Sequence, residues 1–135
     1  MTMTPLQNLY YAIGEMAYAI AISDGEVQKA ERLEVAGLLR EELEKGSQGF
    51  DISGIIFNIL DKQQASLEQA CESAIREVKL NSHYLSPEMK DSFLSLIHRV
   101  AEAYPPVTIE ERAMIDKFRN ELAALHGDPV YYRQR

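Results

Sequence analysis

Residues 17–31, AYAIAISDGEVQKAE, contain the turn that decides the fold. Their alanine- and isoleucine-rich first part continues an apolar stripe of three-to-four spacing, which is typical of an α-helix. Ser23-Asp24-Gly25 interrupts this pattern, and a second helical pattern runs from about Gln28 to Glu44. The stretch therefore predicts a helical hairpin whose two helices are joined by a short acidic loop.

Signals for starting and ending helices recur along the rest of the chain. Thr4-Pro5 and Ser86-Pro87 each place a capping hydroxyl before a proline at the first helical position. Residues 66–69 and 108–111 have the pattern of a capping box, and Tyr104-Pro105-Pro106 ends a helix because proline donates no backbone hydrogen bond. No alternating run with hairpin turns is present. The sequence predicts an all-α fold, a compact bundle of about six or seven helices with two related helical hairpins.

The apolar spacing also predicts which side chains form the core. We expect the second helix to bury Leu33, Ala36, Leu39 and Leu43, and to end at a C-cap at Gly46. A third helix is expected from a cap at Asp51 to Gln63, with an apolar face of Ile52, Ile55, Ile56, Ile59 and Leu60. We expect one domain over residues 1–127, closed by a C-cap at Gly127, and an extended tail over residues 128–135.

Two stretches of the chain resemble each other at an offset of 80 positions. Ala21, Val27, Glu31 and Arg32 fall on Ala101, Val107, Glu111 and Arg112. Both stretches consist of a helix, a breaker, a valine, a cap and a second helix with glutamate in its first turn. We interpret them as two related hairpins, although capping signals are common enough for such a match to arise by chance.

Composition limits the classes of function. The chain has 135 residues, a net charge of −7 and one cysteine, Cys71. Nucleic-acid binding depends on positive charge, so neither nucleic acid nor an anionic membrane surface is expected as a partner. The N-terminus lacks the pattern of a signal peptide, and the longest apolar stretch is too short to span a membrane. We expect a cytoplasmic protein with a protein partner that is basic, and no direct membrane insertion.

No catalytic motif is recognisable, so the sequence predicts that the protein is not an enzyme. His83, His98 and His126 are scattered, and no phosphate-binding glycine loop or nucleophile elbow occurs. Tyr11, Glu15 and Tyr18 follow one side of the first helix, either as a recognition face or as the edge of the core.

The acidic loop is the candidate functional site. Asp24 and Glu31 are the candidate ligands for a divalent cation, and Glu26, Glu34, Glu110 and Glu111 are a candidate interaction surface. The loop resembles half of a calcium-binding EF-hand, but the ligand positions at its start hold isoleucines, so a functional EF-hand is excluded. A structural interpretation is equally simple: Gly25 adopts a left-handed conformation and Glu31 closes a capping box on residue 28.

The sequence Asp24-Gly25-Glu26-Val27 through Glu31, placed between two helices and repeated later, resembles the TerB-like family associated with tellurite resistance. The resemblance covers residues 1–127 by helix pattern and is specific around residues 17–39. It implies an all-helical fold and a small acidic cytosolic protein that binds metal ions or acts as a module in stress response, without enzymatic activity. The second hairpin departs from the pattern because Tyr104-Pro105-Pro106 replaces the acidic turn, which argues against a symmetric metal site.

Overall fold

The computed structural model describes residues 3–43, 49–103 and 105–133, which form a bundle of α-helices. The helices are α1 (Pro5–Ile22), α2 (Lys29–Leu43), α3 (Gly49–Gln63), α4 (Leu67–Leu80), α5 (Pro87–Glu102), α6 (Ile109–Ala123) and α7 (Pro129–Tyr132). A 3₁₀ turn, Ser82–Tyr84, joins α4 to α5. No strand occurs among the described residues, and the predicted all-α bundle is confirmed.

Four of the predicted helix starts are confirmed, because capping depends on a few neighbouring residues. Thr4 caps α1 and Thr108 caps α6, each in a reciprocal capping box with the side chain three residues later. Ser66 and Ser86 accept hydrogen bonds from the backbone amides of Gln69 and Met89. α5 ends at Glu102, before the two prolines; Tyr104 lies outside the described residues.

α1 is the central helix of the bundle. It packs against α3, α4, α5 and α6, and every residue from Ala12 to Ala21 is buried. Gly14 allows the closest approach, because a Cβ atom there would lie 2.6 Å from the backbone oxygen of Ser53 in α3. The Ser53 hydroxyl donates a hydrogen bond of 2.6 Å to the carbonyl of Tyr10, so α1 and α3 are in contact through backbone as well as side chains.

The inward face of α2 differs from the predicted one. Val35, Leu39 and Leu43 are buried, but Leu33 is 72 % exposed and Ala36 is also exposed. The acidic side chain of Glu31 occupies the inward position one turn before Val35, which directs Leu33 to the solvent. The prediction that Leu33 and Ala36 belong to the core is therefore wrong.

α3 begins earlier than predicted, and only part of its apolar face is buried. The helix starts at Gly49, so Asp51 lies within its first turn instead of at its cap. Among the side chains of α3 that the structure describes, Ser53 and Phe57 are buried. Of the predicted face, Ile52, Ile56 and Leu60 are half-buried, and Ile55 and Ile59 are exposed. The predicted C-cap of α2 at Gly46 lies outside the described residues.

The tail is helical where it was predicted to be extended. Asp128 caps α7 by accepting from the amide of Val130, and its own amide donates to the carbonyl of His83. Tyr131 packs on His83 and Tyr84, with ring centroids 4.9 and 5.3 Å apart. Gly127 is not the C-cap of α6, which ends at Ala123; it lets the chain pass so close to Leu85 that a Cβ atom would overlap the Leu85 carbonyl.

The two predicted hairpins share three of their four helix boundaries at the same offset. α1 ends at Ile22 and α5 at Glu102, while α2 spans Lys29–Leu43 and α6 spans Ile109–Ala123, each 80 positions later. Ala21 and Ala101 are buried at equivalent positions. Among the helices of the described residues, none combines the length and the apolarity of a membrane-spanning segment.

Candidate functional site

The turn after α1 is the start of the candidate site. We call residues 23–28 loop 1, and residues 103–108, the equivalent turn after α5, loop 2. Gly25 has φ +118°, a conformation that side chains disfavour, and its amide donates to the carbonyl of Ile22 over 2.9 Å. The left-handed conformation predicted for Gly25 is confirmed, and it turns the chain away from α1 into loop 1.

Glu31 closes loop 1 from inside the protein. Its side chain is 3 % exposed, and its Oε1 accepts a hydrogen bond from the backbone amide of Gln28 over 3.4 Å, near the limit of an effective bond. Gln28 has no hydroxyl to return a bond to the helix, and its side-chain amide instead donates to Glu26 over 2.9 Å. Loop 1 therefore has half of a capping box.

Glu111 holds the equivalent place in loop 2 with a complete capping box. It is 2 % exposed, and its Oε1 accepts from the amide of Thr108 over 2.9 Å. The hydroxyl of Thr108 accepts from the amide of Glu111 over 3.0 Å. The cap residue and the glutamate three positions later are thus joined by one long hydrogen bond at loop 1, between Gln28 and Glu31. At loop 2, two shorter hydrogen bonds join Thr108 and Glu111.

The two buried glutamates lie within electrostatic range of each other. Burial raises the pKa of Glu31 to about 7, and the charges of Glu111 and Asp24 raise it further against the lowering effect of the Gln28 hydrogen bond. Burial also raises the pKa of Glu111, and Asp24 and Glu110 add to the increase. The charges of Asp24 and Glu111 thus act on Glu31, which couples the acidic turn of loop 1 electrostatically to the first turns of α2 and α6.

The structure separates the sequence-predicted site residues into two groups. Asp24, Glu26, Glu34 and Glu110 are exposed, whereas Glu31 and Glu111 are buried. Glu111 was predicted for the interaction surface, but its side chain turns inward to cap α6 and does not contribute there. In the described residues, no three side chains of histidine, cysteine, aspartate or glutamate form a group that could hold a metal ion.

A groove of about 590 Å³ lies beside loop 1. It separates loop 1 from the turn between α3 and α4, and Ile22, Val27 and Leu67 provide its apolar surface. Arg32 and Asp61 form an ion pair in its wall, which joins the start of α2 to the end of α3.

The turn on the other side of the groove has a fixed shape. Gln64 has φ +51°, and Ala65 donates to the carbonyl of Leu60 over 3.0 Å, the pattern of a helix ending in a left-handed residue. Tyr18 reaches from α1 to donate its hydroxyl to the Ala65 carbonyl over 2.7 Å. Sequence reasoning missed this groove, because Tyr18 is distant in the chain from Asp61 and Gln64 and the three residues have no common motif.

The remaining candidates from the sequence have structural roles. Tyr18 and Glu15 are buried and belong to the core, and Tyr11 is half-buried beside them. Cys71 is buried, which raises the pKa of its thiol above the ordinary value. No protein-family model matches the chain, and no curated protein or solved structure matches it either.

Proposed function

We propose that this protein is a noncatalytic regulatory module that binds a basic segment of a partner protein in the groove beside loop 1. The observation that carries the proposal is the position of the groove, which combines a mostly polar lining with the apolar side chains of Ile22, Val27 and Leu67 and lies directly next to the exposed acids of loop 1. Its volume of about 590 Å³ lies in the range of roughly 300–1,000 Å³ that is usual for binding pockets.

The charges around the groove favour a basic partner. Glu26 lines the groove, and Asp24 and Glu34 are exposed on the same hairpin. The net charge of −7 adds a long-range attraction for cations, which accelerates encounter with a positively charged surface. A lysine or arginine side chain fits this chemistry, because its apolar stem packs on Val27 and Leu67 while its charge faces Glu26.

We also infer a relationship to TerB-like proteins. It is supported by the acidic turn at Asp24-Gly25 and by the second hairpin, in which three of the four helix boundaries follow those of the first at an offset of 80 positions. This relationship agrees with a noncatalytic role in a cytoplasmic stress response such as tellurite resistance.

The proposal is tested by titrating the ¹⁵N-labelled protein with a synthetic peptide of alternating lysine and leucine residues at low salt. We expect amide shifts to concentrate at Val27, Gln64 and Leu67. The double variant Glu26→Lys/Glu34→Lys is expected to bind at least about tenfold more weakly, a loss of about 1.4 kcal/mol. The matched control is Glu72→Lys/Glu88→Lys, which makes the same change in net charge at two exposed carboxylates outside the groove and should leave the affinity within about twofold. Shifts spread evenly over the surface, or equal weakening by both variants, would refute the proposal.

Divalent-cation binding is the second candidate function. It is supported by the electrostatic proximity of Asp24, Glu31 and Glu111, and it requires these carboxylates to move closer together than in this structure. A cation that binds the native state raises the melting temperature by mass action. We expect a cation-dependent increase in melting temperature that Asp24→Asn reduces, tested with calcium, magnesium, manganese and zinc. Equal increases in the wild type and the variant would eliminate this function.

A further inference from the structure

The contact between α1 and α4 contains a carboxyl group that the proposed function does not use. Glu15 lies in the middle of α1 and is 3 % exposed, and its Oε1 is a buried oxygen without a hydrogen-bond partner in the structure. A buried carboxylate that lacks partners is costly, because the charge loses its hydration and gains little in return. The buried position therefore favours the neutral form of this side chain.

Burial and the α4 groups around Glu15 have opposing effects on the charge of this side chain, and burial has the largest effect. Ser73 is near enough to donate a hydrogen bond to the carboxyl group, which favours its charged form. The positive charge of Arg76 also favours the charged form. Burial and the negative charge of Glu77 oppose them and prevail, and together they raise the pKa of Glu15 to about 7. Among the described residues, Tyr11, one turn earlier on α1, is a further titratable group that interacts electrostatically with Glu15.

We infer that Glu15 makes the contact between α1 and α4 sensitive to protons: its carboxyl group is neutral while α4 packs on α1, and its ionisation loosens α4. The inference does not depend on the partner-binding function. Because Ser66 and Leu67 at the start of α4 form one side of the groove beside loop 1, loosening α4 also changes that groove. The device would couple the shape of the groove to pH near neutrality.

Hydrogen exchange of the α4 backbone amides tests the inference, with rates corrected for the intrinsic pH dependence of exchange. Opening of α4 exposes Glu15 to water, where its pKa returns toward 4.5, so opening becomes easier as pH rises through the interval between the two values. In the wild type, the protection factors of α4 should fall by up to about tenfold per pH unit between about pH 5 and 7. In Glu15→Gln, which is neutral at every pH, they should be independent of pH over this range.

Two further variants keep the test decisive. Glu77→Gln removes the repulsion and should make the total decrease in α4 protection smaller than in the wild type. Glu31→Gln alters the buried carboxyl group in the first turn of α2 and should leave the pH dependence of α4 protection unchanged if α4 opens on its own. The same decrease in Glu15→Gln as in the wild type would overturn the inference. Should Glu15→Gln fail to fold, an unaltered decrease in Glu77→Gln would also overturn it.

Discussion

The two hairpins of this protein have the same architecture and differ in how their loops are closed. In loop 2, Thr108 and Glu111 cap each other, and two short hydrogen bonds satisfy the start of α6. In loop 1, Gln28 occupies the place of Thr108, and one long bond from its amide is all that Glu31 accepts there. The difference indicates that the cap of α6 contributes more to stability than the cap of α2. At loop 1, the buried Glu31 carboxylate makes one weak hydrogen bond beside an exposed acidic turn.

The hairpins also differ in the helix that precedes each loop, and this difference predicts the largest effect. Gly14 in α1 stands where α5 has Leu94, and at Gly14 the helix α1 approaches the backbone of α3 closely. Gly14→Ala places a methyl group against backbone atoms of Ser53, and we expect unfolding free energy to fall by about 2–3 kcal/mol in chemical denaturation. Gly37→Ala, in the open helix α2, is the control and should gain about 0.5–1 kcal/mol. A tolerated Gly14→Ala would contradict the close contact of α1 and α3.

The pH dependence of stability tests the weakly bonded carboxyl group of Glu31 beside loop 1. Its folded pKa of about 7 exceeds the ordinary 4.5, so the folded state holds this proton more tightly than the unfolded state. The resulting stabilisation is complete below about pH 4.5 and is lost as pH rises through 7. The unfolding free energy of the wild type minus that of Glu31→Gln should decrease by about 1–3 kcal/mol between pH 5 and 8. A difference that is constant with pH would show that Glu31 titrates normally.

Removing the complete capping box should cost more than altering the incomplete one. Thr108→Ala leaves the amide of Glu111 without its partner, and we expect a loss of about 1 kcal/mol in urea denaturation. Gln28→Ala keeps the backbone amide that Glu31 accepts and should change stability by less than about 0.5 kcal/mol. Equal losses in the two variants would mean that the loops are closed with equal strength.

Completing the box in loop 1 is the smallest of these changes. Gln28→Thr supplies the hydroxyl that loop 2 has, so we expect a gain of about 0.5 kcal/mol in melting experiments. The same variant removes the side-chain bond to Glu26, so a titration with the lysine- and leucine-containing peptide should also be altered. A destabilised Gln28→Thr would indicate that loop 1 cannot adopt the geometry of loop 2.

Local features of the fold could be predicted from the sequence, because the residues that determine them are neighbours. Thr4, Ser66, Ser86 and Thr108 start helices where their capping patterns predict, and the two prolines after residue 104 follow the end of α5. The turn at Gly25 belongs to the same class, since a left-handed conformation is favoured by glycine at that single position.

Features that depend on packing could not be predicted in this way. Leu33 has the spacing of a core residue, but the position of α2 on its neighbours turns Val35 inward and leaves Leu33 in solvent. The effect of the Glu111 charge on Glu31 depends on how the two hairpins pack, and neither periodicity nor capping patterns contain that information. Likewise, the tail is held by contacts of Tyr131 with a 3₁₀ turn more than forty positions earlier.

Measuring the Glu31 titration by NMR of its side-chain carboxyl carbon tests most directly whether the two loops share one electrostatic environment. We predict a pKa near 7 in the wild type and a lower value in Glu111→Gln, which removes the charge of Glu111 and keeps an oxygen for the Thr108 amide. A Glu31 pKa near 4.5, or one that Glu111→Gln leaves unchanged, would contradict it.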